Sequence, residues 1–281
     1  MKRMKLHVRM LAALTIAGCS LAPIASLKAQ QVTPPQAVAA SPAVAAMQKA
    51  AQDGKYLFIY FWKQEDRQTE SMQTVFQQTT KEMAEVADAI RVQITDPDNA
   101  ALVKQFGVDR APMPLALAVA PNGAVTRGLP VSFEAQQLRD AIVSPGTAAT
   151  LKAMQDRKLV LLCVQPAADA TAFPGALELT RDQRFAASTQ IVNIDPTEAS
   201  EHSFLKSLGV EPSASDGTMV VLTPPGQAVA TFAKHASKEQ IVEKLTALSS
   251  ACCPDGQCGP GVQCAPGQQC CPGGNCAPAQ K

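Results

Sequence analysis

"KYLFIYFW" at residues 55–62 is a continuous apolar run of strand length, and about one hundred residues later "KLVLLCVQ" at 158–165 repeats its form. Uninterrupted hydrophobicity rich in β-branched or aromatic residues marks a parallel strand buried on both faces, because a strand with one wet face would alternate. The separation recurs in other landmarks. "VQITDPDNAALVKQFGV" (92–108) matches "VNIDPTEASEHSFLKSLGV" (192–210), and "APNGAV" (120–125) matches "PPGQAV" (224–229). The body of the chain is therefore one pattern written twice.

Each copy opens with a short helical stretch before its buried strand. In the first copy Met72, Val75, Phe76, Thr79, Met83, Val86 and Ile90 then fall on one face of a helix about six turns long; the matching "PGALELTRDQRFAAS" is shorter and less regular. A second strand leads to a punctuated helix. Asp96 and Asp195 are placed as N-caps, Pro97 and Pro196 at the first helical position, and Gly107 and Gly209 at the left-handed stop. A hairpin follows in each copy, around "PNG" and "PGQ", then a last helix from Ser132 and from Ser237, the latter with Gln240 completing a capping box. The order β-α-β-α-β-β-α, twice, implies α/β architecture with a parallel-dominated sheet and helices on both faces.

The first copy resembles the thioredoxin family. "YLFIYFW" stands where thioredoxins carry a strand ending in Phe-Trp, and "FGVDRAPMPLALAVAPNGAV" resembles the family's stretch from the third helix through the cis-proline into the final hairpin. The likeness covers 43–143 well and 150–248 more weakly. It implies two tandem thioredoxin-like domains, at 43–146 and 147–249, each a central mixed sheet flanked by helices. It also implies where chemistry should sit. An active thioredoxin uses a Cys-x-x-Cys pair at a helix N-terminus, where the helix dipole and oriented amides lower the first thiol's pKa. Counted from Phe61-Trp62, those positions are Asp66 and Thr69, and no cysteine lies between Cys19 and Cys163. The family's buried carboxylate just before Phe-Trp is replaced by Tyr60. Pro114 matches the cis-proline, with Pro112 the alternate. Cys163, mid-strand, reads as a buried core thiol. The charges of "KQEDRQTE" (63–70), with Glu65, Asp66, Arg67 and Glu70, are explained by helix capping and solvation as well as by catalysis. The resemblance thus implies no catalytic residue in the first copy.

Composition narrows the remaining classes. The 281 residues carry a formal charge of +1 with only 4% aromatics, so neither a phosphate footprint nor a stacking platform for nucleic acid is present. His7 falls in the leader, and His202 and His235 stand alone, which leaves a histidine metal site without ligands. No Gly-x-Ser-x-Gly elbow, phosphate loop or His-Glu-x-x-His helix occurs.

The two ends of the chain read differently from its body. Residues 1–29 have a basic region ending at Arg9 and an uncharged stretch from Met10 to Leu27, the layout of an export signal. Ile16-Ala17-Gly18-Cys19 resembles a bacterial lipobox with Cys19 as the lipidation candidate, while small residues at Ala29 also suit cleavage before Gln30. Either way the expected location is periplasmic or cell-envelope, with membrane attachment only through lipid. An Ala/Pro/Gln-rich linker follows at 30–42. At 250–281 lies an irregular Cys/Gly/Pro-rich tail containing Cys252, Cys253, Cys258, Cys264, Cys270, Cys271 and Cys276, arranged in Pro/Gly hexads with one large apolar residue, Val262. Such a segment has no core and is held, if at all, by cross-links or metal. Three readings stay open: disulfide linkage or tethering, soft-metal binding of copper or zinc, and thiol-disulfide redox chemistry. No cofactor is expected elsewhere, and the expected partner is another protein.

Overall fold

The computed structural model describes residues 42–167, 172–211 and 217–251. The leader, Cys19, most of the linker and the seven cysteines of the tail lie outside them. In the first copy, strands β1 (Tyr56–Trp62), β2 (Ala87–Gln93), β3 (Leu115–Val119) and β4 (Val125–Pro130) form a sheet in the order β2-β1-β3-β4. In the second, β5 (Leu159–Val164), β6 (Thr189–Ile194), β7 (Thr218–Thr223) and β8 (Gln227–Ala233) repeat that order as β6-β5-β7-β8. This is the thioredoxin-like fold twice in tandem. Each sheet has one parallel pair, β1 with β2 and β5 with β6, and two antiparallel pairs. The sheets are thus mixed, where alternation of strands and helices alone pointed to parallel dominance. The hairpin that ends each copy is what reverses the balance.

Helices α1 (Pro42–Gln52), α2 (Arg67–Glu82), α3 (Ala100–Phe106) and α4 (Ala135–Arg139) belong to the first copy, and α5 (Pro145–Gln155), α6 (Pro174–Arg181), α7 (His202–Ser207) and α8 (Lys238–Ala251) follow in the second. Because side chains alternate along a strand, β1 feeds two cores. Phe58 and Tyr60 meet Phe76 and Met83 of the α2 segment, whereas Leu57, Ile59 and Phe61 meet Ala43 and Ala50 of α1 and Leu102 and Val103 of α3. In the second copy Val160, Leu162 and Val164 pack with Ala153 of α5, and Leu161 and Cys163 pack with Ala176 and Leu179 of α6 and Ile241 of α8.

Three expectations drawn from the sequence need correction. The helix read across Met72 to Ile90 ends at Glu82; Val86 lies in a turn and Ile90 on β2. The cause is geometric. A crossover helix must return the chain to the start of a strand parallel to β1, and sixteen residues at 1.5 Å rise span about 24 Å, close to the roughly 23 Å of a seven-residue strand. Six turns would overshoot. Second, Asp195 is not a helix cap: its Oδ1 accepts from Thr197 N and Thr197 Oγ1 at 2.8 and 2.7 Å, and its Oδ2 accepts from Ala167 N at 2.9 Å. The stretch from Asp195 to Gly209 is three residues longer than that from Asp96 to Gly107. The extra length moves helix initiation on to a 3-10 turn at Ala199–Glu201, so Pro196 is not its first residue. Asp96 does cap, accepting from Asp98 N at 3.0 Å, and Gly107 takes φ +62° at the helix end. Third, the last helix of the first copy starts after Glu134 instead of Ser132, with Glu134 N donating to Gln137 Oε1 at 2.9 Å.

Helix α5 joins the copies. Its Ala153 sits in the second core, while Ala148 and Leu151 enter the first, in the cluster that holds Tyr56, Ala120, Ala124 and Ala141. At its C-terminus Gln155 treats β4 as a neighbouring strand would. Its Nε2 donates to Val125 O at 2.7 Å, and its Oε1 accepts from Val125 N at 3.0 Å. Gln155→Ala is expected to cost about 1 kcal/mol, since these bonds are solvent-exposed. The Val125 amide should then exchange with deuterium roughly fivefold faster, as native-state exchange would measure.

Candidate functional site

The site to which the sequence points is the edge where β1 ends and α2 begins. After Trp62 the chain runs through a short polar loop to Asp66, whose extended backbone (φ −146°, ψ 172°) is that of an N-cap. Its Oδ1 accepts from Thr69 N at 2.8 Å. Asp66 and Thr69, the two positions where the resemblance places sulfur, are therefore bonded to each other as cap and third helical residue. The Thr69 amide, with smaller help from its hydroxyl, holds the Asp66 carboxyl below its ordinary value.

Below the helix end lies Tyr60. It is fully buried, with its ring 5.3 Å from that of Phe76 and 6.5 Å from that of Phe133, and its hydroxyl donates to Thr69 O at 2.6 Å. Burial pushes its pKa up to about 12. At the position where the resemblance implied a carboxylate, this chain has a neutral phenol tied to the backbone. Neither Asp66 nor Tyr60 changes charge near neutral pH, so the pair offers no general acid or base there.

Around this edge three further segments converge. Met113–Pro114 is a cis peptide. Pro114 O accepts from Val131 N at 2.7 Å, and Val131 O accepts from Gln68 Nε2 at 3.0 Å. Val131 has φ +67° and is 39% exposed, an uncommon backbone for a β-branched residue and one of two large apolar side chains on the described surface. Arg91 lies over the Trp62 ring at 5.1 Å and pairs with Glu65 at 3.1 Å. The structure thus brings Asp66, Thr69 and Pro114 to one edge and adds Tyr60, Gln68 and Val131. Tyr60 was visible in sequence as a departure from the family. Gln68 and Val131 gave no signal, since their link is between segments far apart in the chain.

In the second copy Cys163 sits mid-strand, 1% exposed, and burial alone raises its pKa to about 12. Thiolate is scarce at neutral pH under those conditions. Among the described residues no group of three His, Cys, Asp or Glu side chains is placed to hold a metal ion.

No protein-family model matches the chain, and no curated protein matches it. Similar solved structures include human ERp44, at 10% identity over 73% of this chain and 55% of that chain, with a TM-score of 0.34. The first two thioredoxin domains of Naumovozyma dairenensis Eps1p match at 13% identity over 68% of this chain and 92% of theirs, with a TM-score of 0.26. StoA from Bacillus subtilis matches at 12% identity over 31% of this chain and 82% of that one, with a TM-score of 0.26. What the strand order of each copy defines is the fold class, a thioredoxin-like α/β fold repeated in tandem.

Tyr60→Phe removes the phenol's hydrogen bond to Thr69 O, which keeps its helical amide donor, and should lower stability by about 1 kcal/mol in denaturant titration. Because the folded phenol titrates near 12 against an ordinary 10, the native state holds its proton longer than the unfolded one. Stability should therefore fall as pH rises from about 10 to 12, and less so in Tyr60→Phe. Asp66 has the opposite sign. Its folded pKa is depressed, so its stabilisation is present above the ordinary 3.8 and lost as pH falls below it. Asp66→Ala should lower Tm at neutral pH, and scans at successively lower pH should show the difference closing.

Proposed function

We propose that this is an exported, non-catalytic thioredoxin-like protein of the bacterial cell envelope that binds or scaffolds another protein. The observation that carries this reading is the bond between Asp66 and Thr69. The two positions at which the fold would place reactive sulfurs serve instead to start a helix, and the group beneath them is a phenol held neutral by burial. What remains at this edge is a surface: Trp62 under Arg91, and exposed Val131, bonded to the Pro114 loop and to Gln68. Such a surface favours an extended segment of a protein partner, with Val131 as its apolar contact. Export rests on the basic and apolar leader, with attachment through lipid on Cys19 or release by cleavage before Gln30.

The tail supplies two rival readings, thiol-disulfide chemistry by Cys252 to Cys276 and binding of copper or zinc there. One set of measurements on the full chain separates all three. With the seven tail cysteines replaced by serine, the protein should not accelerate reduction of insulin by dithiothreitol, and the unaltered chain should not either. Turnover by the serine variant would overturn the non-catalytic reading; turnover by the unaltered chain alone would assign redox chemistry to the tail. Intact mass before and after reduction, with metal analysis of the same anaerobic sample, should show disulfides and no stoichiometric copper or zinc.

A further inference from the structure

Among the described residues, the joint that α5 makes on β4 has an unused counterpart at each end of the folded body. We propose that the chain associates head to tail with further copies of itself, α1 of one copy docking on the β8 edge of the next in the way that α5 docks on β4.

The donor side is written in the two helices. "PAVAAMQKAAQDGK" (42–55) and "PGTAATLKAMQDRK" (145–158) align without a gap, and both form an eleven-residue helix that begins at proline. Both end in a Lys–Asp pair four residues apart, Lys49 with Asp53 and Lys152 with Asp156. Ala50 and Ala153 are buried at the same point against the first strand of their own sheets. Gln52 thereby occupies the place of Gln155, the residue that grips both polar groups of Val125, and Gln52 is exposed. Ala45 and Gln48, also exposed, stand where Ala148 and Leu151 enter the neighbouring core.

The receiving side matches in its backbone, while Thr223 and Gln227 stand where Ala120 and Ala124 line the internal joint. Both final hairpins turn at a glycine of positive φ, Gly123 and Gly226, and both ladders shift register just beyond the turn. Val119 pairs with Val125 before the shift in the first, and Leu222 pairs with Ala228 before it in the second. Ala228 therefore holds the register position of Val125, on the outermost strand, and is exposed. The strand itself, "QAVATFA", has no charge and no proline, whereas β4, already covered by α5, carries Arg127 and Pro130. Edge strands that stay unpaired usually carry such blocking residues. A grip seen once inside the chain is thus present as an exposed half on α1 and its complement on β8.

Chemistry also sets the strength. Gln48 in place of Leu151 makes the intermolecular contact less apolar, and it lacks the high effective concentration that chain continuity gives the internal joint. Association is therefore expected to depend on concentration. The two surfaces differ, so the contact is heterologous and extends as open chains unless rotation closes a ring. This inference is independent of the binding edge above, since neither α1 nor β8 contributes to it.

The test places a photo-reactive benzophenone amino acid at exposed position 227 of the full chain, beside Ala228 and with Gln52 left in place, kept in reductant so that tail thiols cannot link copies. Irradiation at rising concentrations, up to about 1 mM, should give dimers and higher species, with peptide mapping locating the bond on residues 42–55. No intermolecular product at the highest concentration, or a bond mapped away from α1, overturns the proposal. Sedimentation of the unlabelled protein provides the second readout. Gln52→Ala, an exposed change that leaves the fold intact, should weaken association several-fold, as should Ala228→Pro; association indifferent to Gln52→Ala overturns the proposal even if the proline variant misfolds.

Discussion

The architecture hangs on one helix that serves two cores. Helix α5 lays Ala153 on the second sheet and sends Ala148 and Leu151 into the first, so the copies share packing instead of being strung on a linker. Its N-terminus is held as closely. Buried Glu201 accepts from Gly146 N at 2.8 Å and from Ser144 Oγ at 2.6 Å, which places a carboxylate where the helix dipole favours it. A Cβ on Gly146 would lie 2.7 Å from Glu201 Oε1, so the absence of a side chain there is what lets the carboxylate approach. The three residues by which the second copy is longer between Asp195 and Gly209 are thus used: they delay the helix and free Glu201, on the turn, to cap a neighbour.

The same logic of reassigned groups governs the edge at Asp66. A helix N-terminus with free amides attracts whatever accepts hydrogen bonds. When the accepting group is a carboxylate three residues before a buried threonine, the amide is satisfied locally and the end becomes a rigid stop. Tyr60 completes the change, because a buried phenol needs one acceptor and finds it at Thr69 O, fixing the first turn from beneath. The edge is built for a constant shape. Its polar groups are already spoken for by one another, and its exposed apolar contact is held at an uncommon backbone angle by bonds to Pro114 and from Gln68.

Much of this was legible in the sequence where the physics is local. "KYLFIYFW" reads as a doubly buried strand because nothing in it tolerates water, and Asp96 and Gly107 read as helix punctuation because a cap and a left-handed stop depend only on near neighbours. The end of α2 was not legible, since Val86 and Ile90 continue the helical period by coincidence while strand length sets where the helix stops. Asp195 failed for a related reason: it accepts from the amide two residues on as Asp96 does, yet the longer connection starts the 3-10 turn only at Ala199, beyond its reach. The grip of Gln155 on Val125 and the link from Gln68 to Val131 carried no signal, because an exposed glutamine has no pattern until the partner backbone is placed beside it.

The repeat carries the grip of Gln155 on Val125 once, at the junction of the copies. A repeated fold inherits every surface twice, but only the surfaces at the junction meet. There the first copy's sheet edge and the second copy's leading helix were free to become apolar together, as Leu151 and the Ala120–Ala124 turn show. At the outer ends selection acts on each half separately. Gln48 has become or remained polar on α1, which lowers the cost of exposure, while β8 stays free of charge and proline along its length. A strand edge without blocking residues presents its backbone groups as a template for another chain. The two halves of the contact therefore differ: α1 presents polar Gln48 and Gln52, and β8 presents an edge with no blocking residue.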